Sequence, residues 1–316
     1  MKKHSIVVLD ADTMGDTSIF EPFNTFGTVK IYDTTRPEER LKRIGNASII
    51  ITNKVILDKE ILSNSNIELI CLTATGMNNV DLDYAHKHNI TVKNVAGYST
   101  ESVAQHTFAL LLSFMHQTEY YSNYVLSGAY ASSHIFTHFG PSYWELQNKT
   151  WGIIGLGTIG KRVASIAKAF GSTIQYFSTS GKNNSATYHQ CDTLEELLKT
   201  SDVISIHAPL NEKTKNLLAY ESLQHMQKHA IIINVGRGGI IHEQDLATIL
   251  KENKIAGACL DVLEKEPIPA DSPLLQKDIK HKLLITPHVA WISTEALQRL
   301  FNQVYKNIED YIQKKG

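Results

Sequence analysis

The segment Gly155-Leu156-Gly157-Thr158-Ile159-Gly160 constrains the fold of this chain more than any other. It follows an apolar run, residues 150–154, that predicts a short buried strand. It opens a run, residues 161–170, whose apolar positions recur at helical spacing. Between a strand and a helix, GxGxxG lets the backbone turn tightly, approach a pyrophosphate and point helix N-terminal N–H groups at it. The pattern alone also suits a glycine-rich turn without a ligand, but its setting favours a dinucleotide site.

Short β-rich runs alternate with polar or amphipathic runs along most of the chain. One series precedes a long helical stretch that starts near Thr100 and continues towards Tyr124, and a second series begins at Thr150. Such alternation predicts parallel sheets covered by helices, an α/β fold. The predicted strands are residues 5–9, 29–32, 48–52, 69–72 and 91–93 in the first series, and 150–154, 173–177, 203–206, 230–234, 255–260 and 283–285 in the second.

The composition excludes several classes of partner. The 316 residues suit one large domain or two ordinary ones, and 42% of them are hydrophobic. A formal net charge of -1 without blocks of like charge argues against a nucleic-acid partner and a polybasic membrane anchor. No segment has the length and apolarity of a membrane span. The three cysteines are far apart in sequence, so we expect reduced cysteines in a cytoplasmic protein.

Two histidines have the spacing of helical metal ligands. His134 and His138 stand four residues apart, as such ligands do. The surrounding residues give little helix signal and include no nearby acid. We therefore expect no metal site.

Three predicted strands of the second series end in residues that suit substrate chemistry. Arg237 lies among glycines after one strand, Glu266 follows the next, and His288 follows the last. The fork of an arginine matches a carboxylate in two-point contact. Taken singly, each residue has a plain alternative: a surface ion pair, a solvated acid or an exposed histidine. In a doubly wound sheet, however, all three loops lie at the carboxyl edge, where a dinucleotide also binds.

With the glycine motif, this order of arginine, glutamate and histidine resembles the D-isomer-specific 2-hydroxyacid dehydrogenases. The resemblance extends over nearly the whole chain. It is carried by Gly155-Leu156-Gly157-Thr158-Ile159-Gly160, His207-Ala208-Pro209-Leu210-Asn211, Asn234-Val235-Gly236-Arg237-Gly238, Asp261-Val262 with Glu266-Pro267, and Thr286-Pro287-His288. Five motifs in the family's order are much more specific than any one of them.

The resemblance implies a role for each matching residue. Arg237 would bind the carboxylate and carbonyl oxygen of a 2-oxo acid, and His288 would protonate that carbonyl as hydride arrives from the nicotinamide. Glu266 would orient His288 and stabilise its charged form, because a nearby carboxylate favours an imidazolium. The turn Ala74-Thr75-Gly76, by itself an ordinary βα turn, would meet the substrate carboxylate with backbone N–H groups.

The implied cofactor site draws on most loops of the second series. Asp261 would lie near the nicotinamide amide and ribose. The full predicted set is Gly155, Leu156, Gly157, Thr158, Ile159, Gly160, Ser178, Thr179, Lys182, His207, Pro209, Thr214, Asn234, Val235, Asp261, His288 and Ala290.

The resemblance also implies two Rossmann-like domains. A discontinuous, flavodoxin-like substrate domain would comprise residues 1–99 and 293–316, and a dinucleotide-binding domain would comprise residues 100–292. The cleft of such enzymes closes over the substrate. The family commonly forms dimers through the cofactor domain, so we expect a homodimer, with the irregular stretch 127–143 in that region.

Finer motifs resemble the glycerate dehydrogenase, or hydroxypyruvate reductase, branch of the family. They are Ala74-Thr75-Gly76-Met77-Asn78-Asn79-Val80-Asp81, Tyr98-Ser99-Thr100-Glu101-Ser102-Val103-Ala104-Gln105, Tyr143-Trp144-Glu145-Leu146 and Ala290-Trp291. This branch would reduce hydroxypyruvate or glyoxylate to a D-2-hydroxy acid, reversibly. Phosphoglycerate and D-lactate dehydrogenases remain alternatives, as does a dinucleotide-sensing binding protein similar to the family's corepressors. The carboxylate of Glu266 disfavours the formate dehydrogenase branch, which has an amide there.

The choice between NAD(H) and NADP(H) depends on one departure from the usual pattern. An acidic residue commonly ends the second strand of such a domain and binds the adenosine ribose. Here Ser178 stands where that acid is expected, and Thr179 and Lys182 follow it. These groups would accept a 2′-phosphate, although the arginine typical of an NADP site is missing. The sequence leans slightly towards tolerance of NADP(H) and leaves NAD(H) open.

Overall fold

The computed structural model describes residues 4–182 and 184–315. They form two compact units. The split unit is the described part of Met1–Ser99 with Ser293–Gly316, and the central unit is Thr100–Ile292. Each unit has its own parallel sheet and therefore its own hydrophobic core.

The chain contains twelve short strands and ten α-helices within the described residues. The strands are β1 (His4–Val8), β2 (Gly27–Ile31), β3 (Ile49–Thr52), β4 (Leu69–Leu72), β5 (Thr91–Lys93), β6 (Thr150–Ile154), β7 (Thr173–Phe177), β8 (His189–Gln190), β9 (Val203–Ile206), β10 (Ile231–Asn234), β11 (Gly257–Leu260) and β12 (Leu283–Ile285). The helices are α1 (Arg40–Ile44), α2 (Lys59–Ser63), α3 (Leu82–Lys87), α4 (Thr100–His116), α5 (Thr118–Leu126), α6 (Thr158–Ala169), α7 (Leu194–Thr200), α8 (Tyr220–Leu223), α9 (Glu243–Lys251) and α10 (Thr294–Lys315).

The split unit has a five-stranded parallel sheet in the order β2-β1-β3-β4-β5. Every residue of β3 and β4 is buried, as expected for inner strands covered on both faces. The C-terminal helix α10 packs on β4 and buries Leu300, Val304 and Ile308 at helical spacing. The strand order changes direction between β1 and β3, and ligands of such sheets bind at the carboxyl ends on either side of that point.

The central unit has a seven-stranded parallel sheet in the order β12-β11-β10-β9-β6-β7-β8. Alternate residues of each strand enter two cores: Ile204 and Ile232 pack on one face, and Val203 and Ile231 pack on the other. The strand order reverses between β6 and β9. The turn that begins with Gly155 follows β6 directly, so the glycine motif lies at the switch point of a Rossmann sheet.

The predicted α/β class with parallel sheets is confirmed, and the differences are local. The predicted helix from Thr100 is two helices, because Gln117 adopts a left-handed conformation with φ of 51° between α4 and α5. Strand β8 was not predicted, since His189 and Gln190 are polar and exposed. Within the described ranges, none of the helices combines the length and apolarity needed to cross a membrane.

Candidate active site

The three glycines of the motif have three different surroundings. Gly155 has φ of 92°, and a Cβ added there would lie 2.8 Å from the backbone nitrogen of Ala208. A Cβ on Gly160 would lie 2.3 Å from the carbonyl oxygen of Gly155, so this glycine lets α6 pack closely against the turn. A Cβ on Gly157 would meet no atom within 4 Å. This open position precedes the first residue of α6, as a bound pyrophosphate requires.

A cleft of about 600 Å³ opens at the switch point of the central sheet. Its walls come from the turn after β6, the loop after β7 and the loop after β9. Its lining residues are Gly155, Gly157, Thr179, Ser180, Lys182, His207, Ala208, Pro209, Asn211, Glu212 and Lys213. Six of these were predicted as cofactor-binding: Gly155, Gly157, Thr179, Lys182, His207 and Pro209. Asn211 and Lys213 also line the cleft but were not predicted to do so. Their position in the loop after β9, a strand at the switch point, could have indicated it.

His207 enters the cleft as a neutral imidazole. The indole N–H of Trp151 donates to Ser205 Oγ over 2.8 Å, and Ser205 Oγ lies 3.0 Å from His207 Nε2. Burial lowers the pKa of His207 to about 3. The residue is half-buried as a whole, but its Nδ1 is buried and has no hydrogen-bond partner among the residues that the structure describes. Such an unpaired buried atom suits a site completed by a polar ligand.

The structure brings His288 and Glu266 together. His288 Nδ1 lies 2.8 Å from Glu266 Oε2, and Glu266 Oε1 accepts the backbone N–H of Leu263 over 2.9 Å. A carboxylate only accepts hydrogen bonds, so Nδ1 carries the proton of this pair. His288 Nε2 has no protein partner in the part of the chain that the structure describes. The side chains remain 26% and 36% exposed, so a substrate can reach the pair.

Asp261 holds the loop that carries His288. Its buried carboxylate accepts the Thr286 hydroxyl over 2.6 Å and the backbone N–H groups of Val289 and Ala290 over 2.8 and 2.9 Å. The backbone N–H of His288 donates to the Asp261 carbonyl over 2.8 Å. These contacts hold His288 at φ of 56°, a conformation uncommon for residues other than glycine. The loop is therefore determined by its surroundings rather than by its own preference.

The Asp261 carboxylate is ionised in this setting. Burial raises the pKa of Asp261, but hydrogen bonds from the His106 ring, Thr286 and the two backbone N–H groups outweigh burial, so its net pKa is lowered. A group with a lowered pKa stabilises the folded state above the pKa of the unfolded carboxyl, and that contribution is lost as pH falls through the folded pKa. His106 lies on α4, with Nε2 3.1 Å from Thr286 Oγ1 and 3.4 Å from Asp261 Oδ1. It was not among the predicted site residues.

Arg237 lies on the loop after β10, next to the loop that carries Glu266. Asn234 shapes its turn, donating to the Arg237 carbonyl over 2.9 Å and accepting the Gly236 N–H over 3.1 Å. A Cβ on Gly238 would lie 1.8 Å from the Leu263 carbonyl oxygen, so only glycine allows the two loops to approach this closely. The exposed guanidinium of Arg237 donates to the Gly236 carbonyl through Nη1, and its other donors face solvent.

Several predicted cofactor residues shape loops through contacts with protein groups. The buried hydroxyl of Thr214 donates to the Pro209 carbonyl over 2.7 Å and accepts the Asn211 N–H over 2.8 Å. Ser178 Oγ accepts the Gly181 N–H over 3.1 Å and so closes the turn after β7. Leu156, Val235 and Ala290 are core residues, whereas Thr158 is exposed at the start of α6 and Ile159 packs beside it. Direct contact of these residues with a cofactor stays a prediction.

The turn Ala74-Thr75-Gly76 follows β4 in the split unit. Thr75 Oγ1 donates to the Val95 carbonyl over 3.0 Å, and Asn94 Nδ2 donates to the Thr75 carbonyl over 2.6 Å. The backbone N–H groups of Thr75 and Gly76 have no acceptor within residues 4–182 and 184–315. Two adjacent unpaired N–H groups at the carboxyl edge of a sheet form a site suited to an anion such as a carboxylate.

The central unit thus has the parts of a nicotinamide-dependent oxidoreductase: a dinucleotide cleft and a histidine–carboxylate pair at one sheet edge. Residues 108–290 match the D-isomer specific 2-hydroxyacid dehydrogenase, NAD binding domain. A hydroxypyruvate reductase of Blautia hydrogenotrophica and a glycerate dehydrogenase of Methylorubrum extorquens are each 35% identical, over 97% of this chain and 96% of their own. A solved acyclic imino acid reductase in complex with NADPH and D-Arg is 31% identical over 98% of both chains, with a TM-score of 0.86.

The chain belongs to the D-isomer-specific 2-hydroxyacid dehydrogenase family. The predicted family and enzyme class are thereby confirmed, together with a nicotinamide dinucleotide as the cofactor. The residues around the cleft fit this cofactor, because Gly157 leaves room for its pyrophosphate and His207, whose Nδ1 is unpaired within the described residues, also lines the cleft.

The glycine motif gives a prediction that separates binding from folding. Gly157→Ala should keep the thermal midpoint of the wild type, since the new methyl group meets nothing, but should weaken cofactor binding at least about tenfold by blocking the pyrophosphate. Gly160→Ala should instead destabilise the protein by about 2 kcal/mol or more, because the new methyl group overlaps a backbone carbonyl. Thermal unfolding and fluorescence titration with the cofactor measure both. Equal cofactor affinity of Gly157→Ala and the wild type would contradict the placement of the pyrophosphate.

Proposed function

We propose that this protein reduces a small 2-oxo acid of the hydroxypyruvate or glyoxylate type to the D-2-hydroxy acid with NAD(P)H, reversibly. The observation that carries this proposal is the His288–Glu266 pair. His288 Nδ1 and Glu266 Oε2 lie 2.8 Å apart, on the loops that follow the neighbouring strands β12 and β11. The two relatives at 35% identity, named hydroxypyruvate reductase and glycerate dehydrogenase, support this choice of substrate.

In this proposal His288 is the proton donor. Glu266 fixes Nδ1 as a donor to its own carboxylate, so Nε2 is directed away from the pair. A reduced nicotinamide dinucleotide held by the cleft at Gly157 and His207 would supply the hydride to the carbonyl carbon. His288 Nε2 gives its proton to the carbonyl oxygen, which yields the hydroxyl group and a neutral imidazole that solvent then reprotonates. In the oxidative direction the neutral imidazole is the base.

The substrate carboxylate has two proposed binding groups. Arg237 offers the fork of a guanidinium whose outer donors are not used by the protein, and such a fork grips a carboxylate in two-point contact. The unpaired N–H groups of Thr75 and Gly76 in the turn Ala74-Thr75-Gly76 offer backbone donors. Both groups therefore suit a substrate whose carboxylate adjoins its reacting carbonyl.

The proton donor is tested by a pair of histidine variants. His288→Ala should lower kcat by about 10²- to 10⁴-fold on each accepted 2-oxo acid, because the carbonyl then lacks a positioned acid. His281→Ala, an exposed histidine two residues before β12, should keep the wild-type rate. The steady-state rate of NAD(P)H oxidation, followed by absorbance, measures both. A His288→Ala protein with wild-type kcat would refute the assigned role.

For the cofactor, we propose a preference for NADP(H). The cleft beyond the turn after β7 is lined by Thr179, Ser180 and Lys182, with Lys213 on the facing loop. Residues 178–182 include no carboxylate that would repel a 2′-phosphate. Glu212 is an acid in the lining, on the same loop as Lys213. The NADPH complex of the imino acid reductase at 31% identity supports this preference.

Lys182 gives the test of cofactor preference. Lys182→Ala should lower kcat/KM for NADPH by about tenfold and change that for NADH less than about twofold, since only NADPH carries the phosphate that the ammonium binds. Lys168→Ala removes an exposed lysine at the end of α6 and should change neither value. A matched loss with both cofactors would show that Lys182 does not contact the 2′-phosphate.

A second candidate activity is the reduction of an imine formed from a 2-oxo acid and an amine. It is favoured by the similarity to the acyclic imino acid reductase over 98% of both chains. Adding methylamine to each 2-oxo acid in the same assay separates the two activities. A rate that requires the amine would favour imine reduction, and no rate with either would favour a dinucleotide-sensing protein.

We also propose a homodimer that works in the cytoplasm. Helix α5 and the segment 127–143 expose large apolar side chains, with Leu126 80%, Phe136 91% and Phe139 89% exposed. Local contacts order this surface, because His138 bonds to the Tyr120 hydroxyl over 2.9 Å and stacks on Tyr124. An ordered apolar patch suits a second copy of the chain. Light scattering should give twice the 35.4 kDa of one chain, and a single-chain mass would contradict the dimer.

The cysteines support the proposed location in the cytoplasm. All three are buried and form no disulfide, as is usual in a reducing compartment.

A further inference from the structure

Asn53 stands at the switch point of the split unit. The strand order β2-β1-β3-β4-β5 changes direction between β1 and β3, and open α/β sheets bind ligands at the carboxyl ends of those two strands. Asn53 follows β3 directly, and Asp10 follows β1 after one residue. The position of Asn53 is therefore one where a ligand is expected on topological grounds alone.

The backbone of Asn53 is fixed from both sides. The Asp10 carboxylate, which is 6% exposed, accepts the Thr52 hydroxyl and the Asn53 N–H over 2.9 Å each, and the Lys54 N–H over 2.6 Å. Asn79 Nδ2 donates to the Asn53 carbonyl over 3.4 Å. The two strand ends and the turn after β4 are thereby tied together, so the Asn53 side chain starts from a rigid base.

The side-chain amide of Asn53 is buried and unpaired. The residue is 6% exposed, yet its amide makes no hydrogen bond to any residue that the structure describes. Buried amides nearly always have partners, so one without them calls for an explanation. Unlike His207 Nδ1, the amide atoms of Asn53 are not fully buried, so they keep some accessible surface. An unpaired, partly accessible amide in the ligand crevice points to a polar group of the ligand as its partner.

Thr73 adds a second unpaired polar group beside Asn53. Thr52 and Leu72 are partners in the parallel register of β3 and β4, so the next residues, Asn53 and Thr73, stand side by side. Thr73 is 2% exposed, and its hydroxyl also lacks a partner within the described ranges. The turn Ala74-Thr75-Gly76, proposed above for the substrate carboxylate, follows it immediately.

We propose that Asn53, with Thr73 beside it, binds the hydroxyl on C3 of a 3-hydroxy-2-oxo acid and so determines substrate specificity. An amide both donates and accepts hydrogen bonds, as does a hydroxyl. Neither the methyl group of pyruvate nor the hydrogen of glyoxylate can form such hydrogen bonds with the amide. The pair is uncharged, so it matches a hydroxyl better than a phosphate. This inference rests on the proposed reduction of 2-oxo acids and names the class of substrate that reduction selects.

Sites built to bind a substrate hydroxyl discriminate strongly against analogues that lack it, because their buried polar groups are then left unpaired. The wild-type protein should therefore have a kcat/KM for hydroxypyruvate about a hundredfold or more above that for pyruvate. This ratio compares two substrates with one enzyme sample, so the amount of folded protein does not affect it.

The experiment measures kcat/KM with one cofactor for hydroxypyruvate, pyruvate and glyoxylate. Asn53→Ala should lose about thirtyfold or more on hydroxypyruvate and change less than about threefold on the other two acids. Asn53→Leu, which is similar in size but apolar, should raise the ratio of kcat/KM for pyruvate to kcat/KM for hydroxypyruvate further than Asn53→Ala does. Thr73→Val, which removes one hydroxyl, should lose activity on hydroxypyruvate selectively. Asn64→Ala, the same change at an exposed position after α2, is the control and should keep all three values.

The outcomes separate this inference from the function on which it rests. A wild-type protein that oxidises NAD(P)H with none of the three acids would overturn the proposed function and the inference together. An active wild type that prefers pyruvate, or an Asn53→Ala protein that loses activity equally on all three acids, would overturn the inference alone. If Asn53→Ala does not fold, the substrate ratios of Asn53→Leu and Thr73→Val decide the question.

Discussion

The proposed active site of the central unit depends on the hydrogen bonds that the buried carboxylate of Asp261 accepts. This carboxylate lies at the end of β11 and accepts hydrogen bonds from the loop after β12, so it joins the loops that carry Glu266 and His288. Those contacts hold His288 at a positive φ that it would not adopt on its own. A buried carboxylate with several donors is stable as an anion, whereas the same group without them would be costly.

The split unit uses the same device on a different sheet. Asp10 follows β1 and accepts hydrogen bonds from three donors at the end of β3, as Asp261 follows β11 and accepts hydrogen bonds from the loop after β12. In both units a carboxylate at the end of one parallel strand fixes the loop of its neighbour. The side chains that we propose to bind a ligand adjoin these carboxylates: His288 in the central unit and Asn53 in the split unit. Rigid sheets thereby support site residues on loops, where backbone groups remain available for binding.

Sequence patterns predicted the sheets well because their strands are short apolar runs bounded by turn residues. Strands β4, β5, β6, β7, β9 and β12 begin and end at the predicted residues. The misses have physical reasons: β8 has polar, exposed residues, and Gln117 interrupts a helix through its backbone conformation rather than its side-chain type. The order of Arg237, Glu266 and His288 on successive strand ends was also readable, since parallel strands place such ends at one edge.

Side-chain partners were not readable from the sequence. Nothing in the pattern around His106 or Ser205 shows that they contact Thr286 and His207, because those contacts join residues far apart in the chain. For the same reason the sequence did not show that the hydroxyl of Thr214 shapes the loop after β9, and its predicted contact with the cofactor stays a prediction. The unpaired amide of Asn53 is visible only when burial and hydrogen bonds are known together.

In the proposed reaction a 2-oxo acid receives hydride from the nicotinamide and a proton from His288, with one stereochemical outcome. Chiral chromatography of the glycerate formed from hydroxypyruvate and NADPH tests it most directly. We expect the D enantiomer, in an amount equal to the NADPH consumed. Formation of L-glycerate, or consumption of NADPH without glycerate, would contradict it.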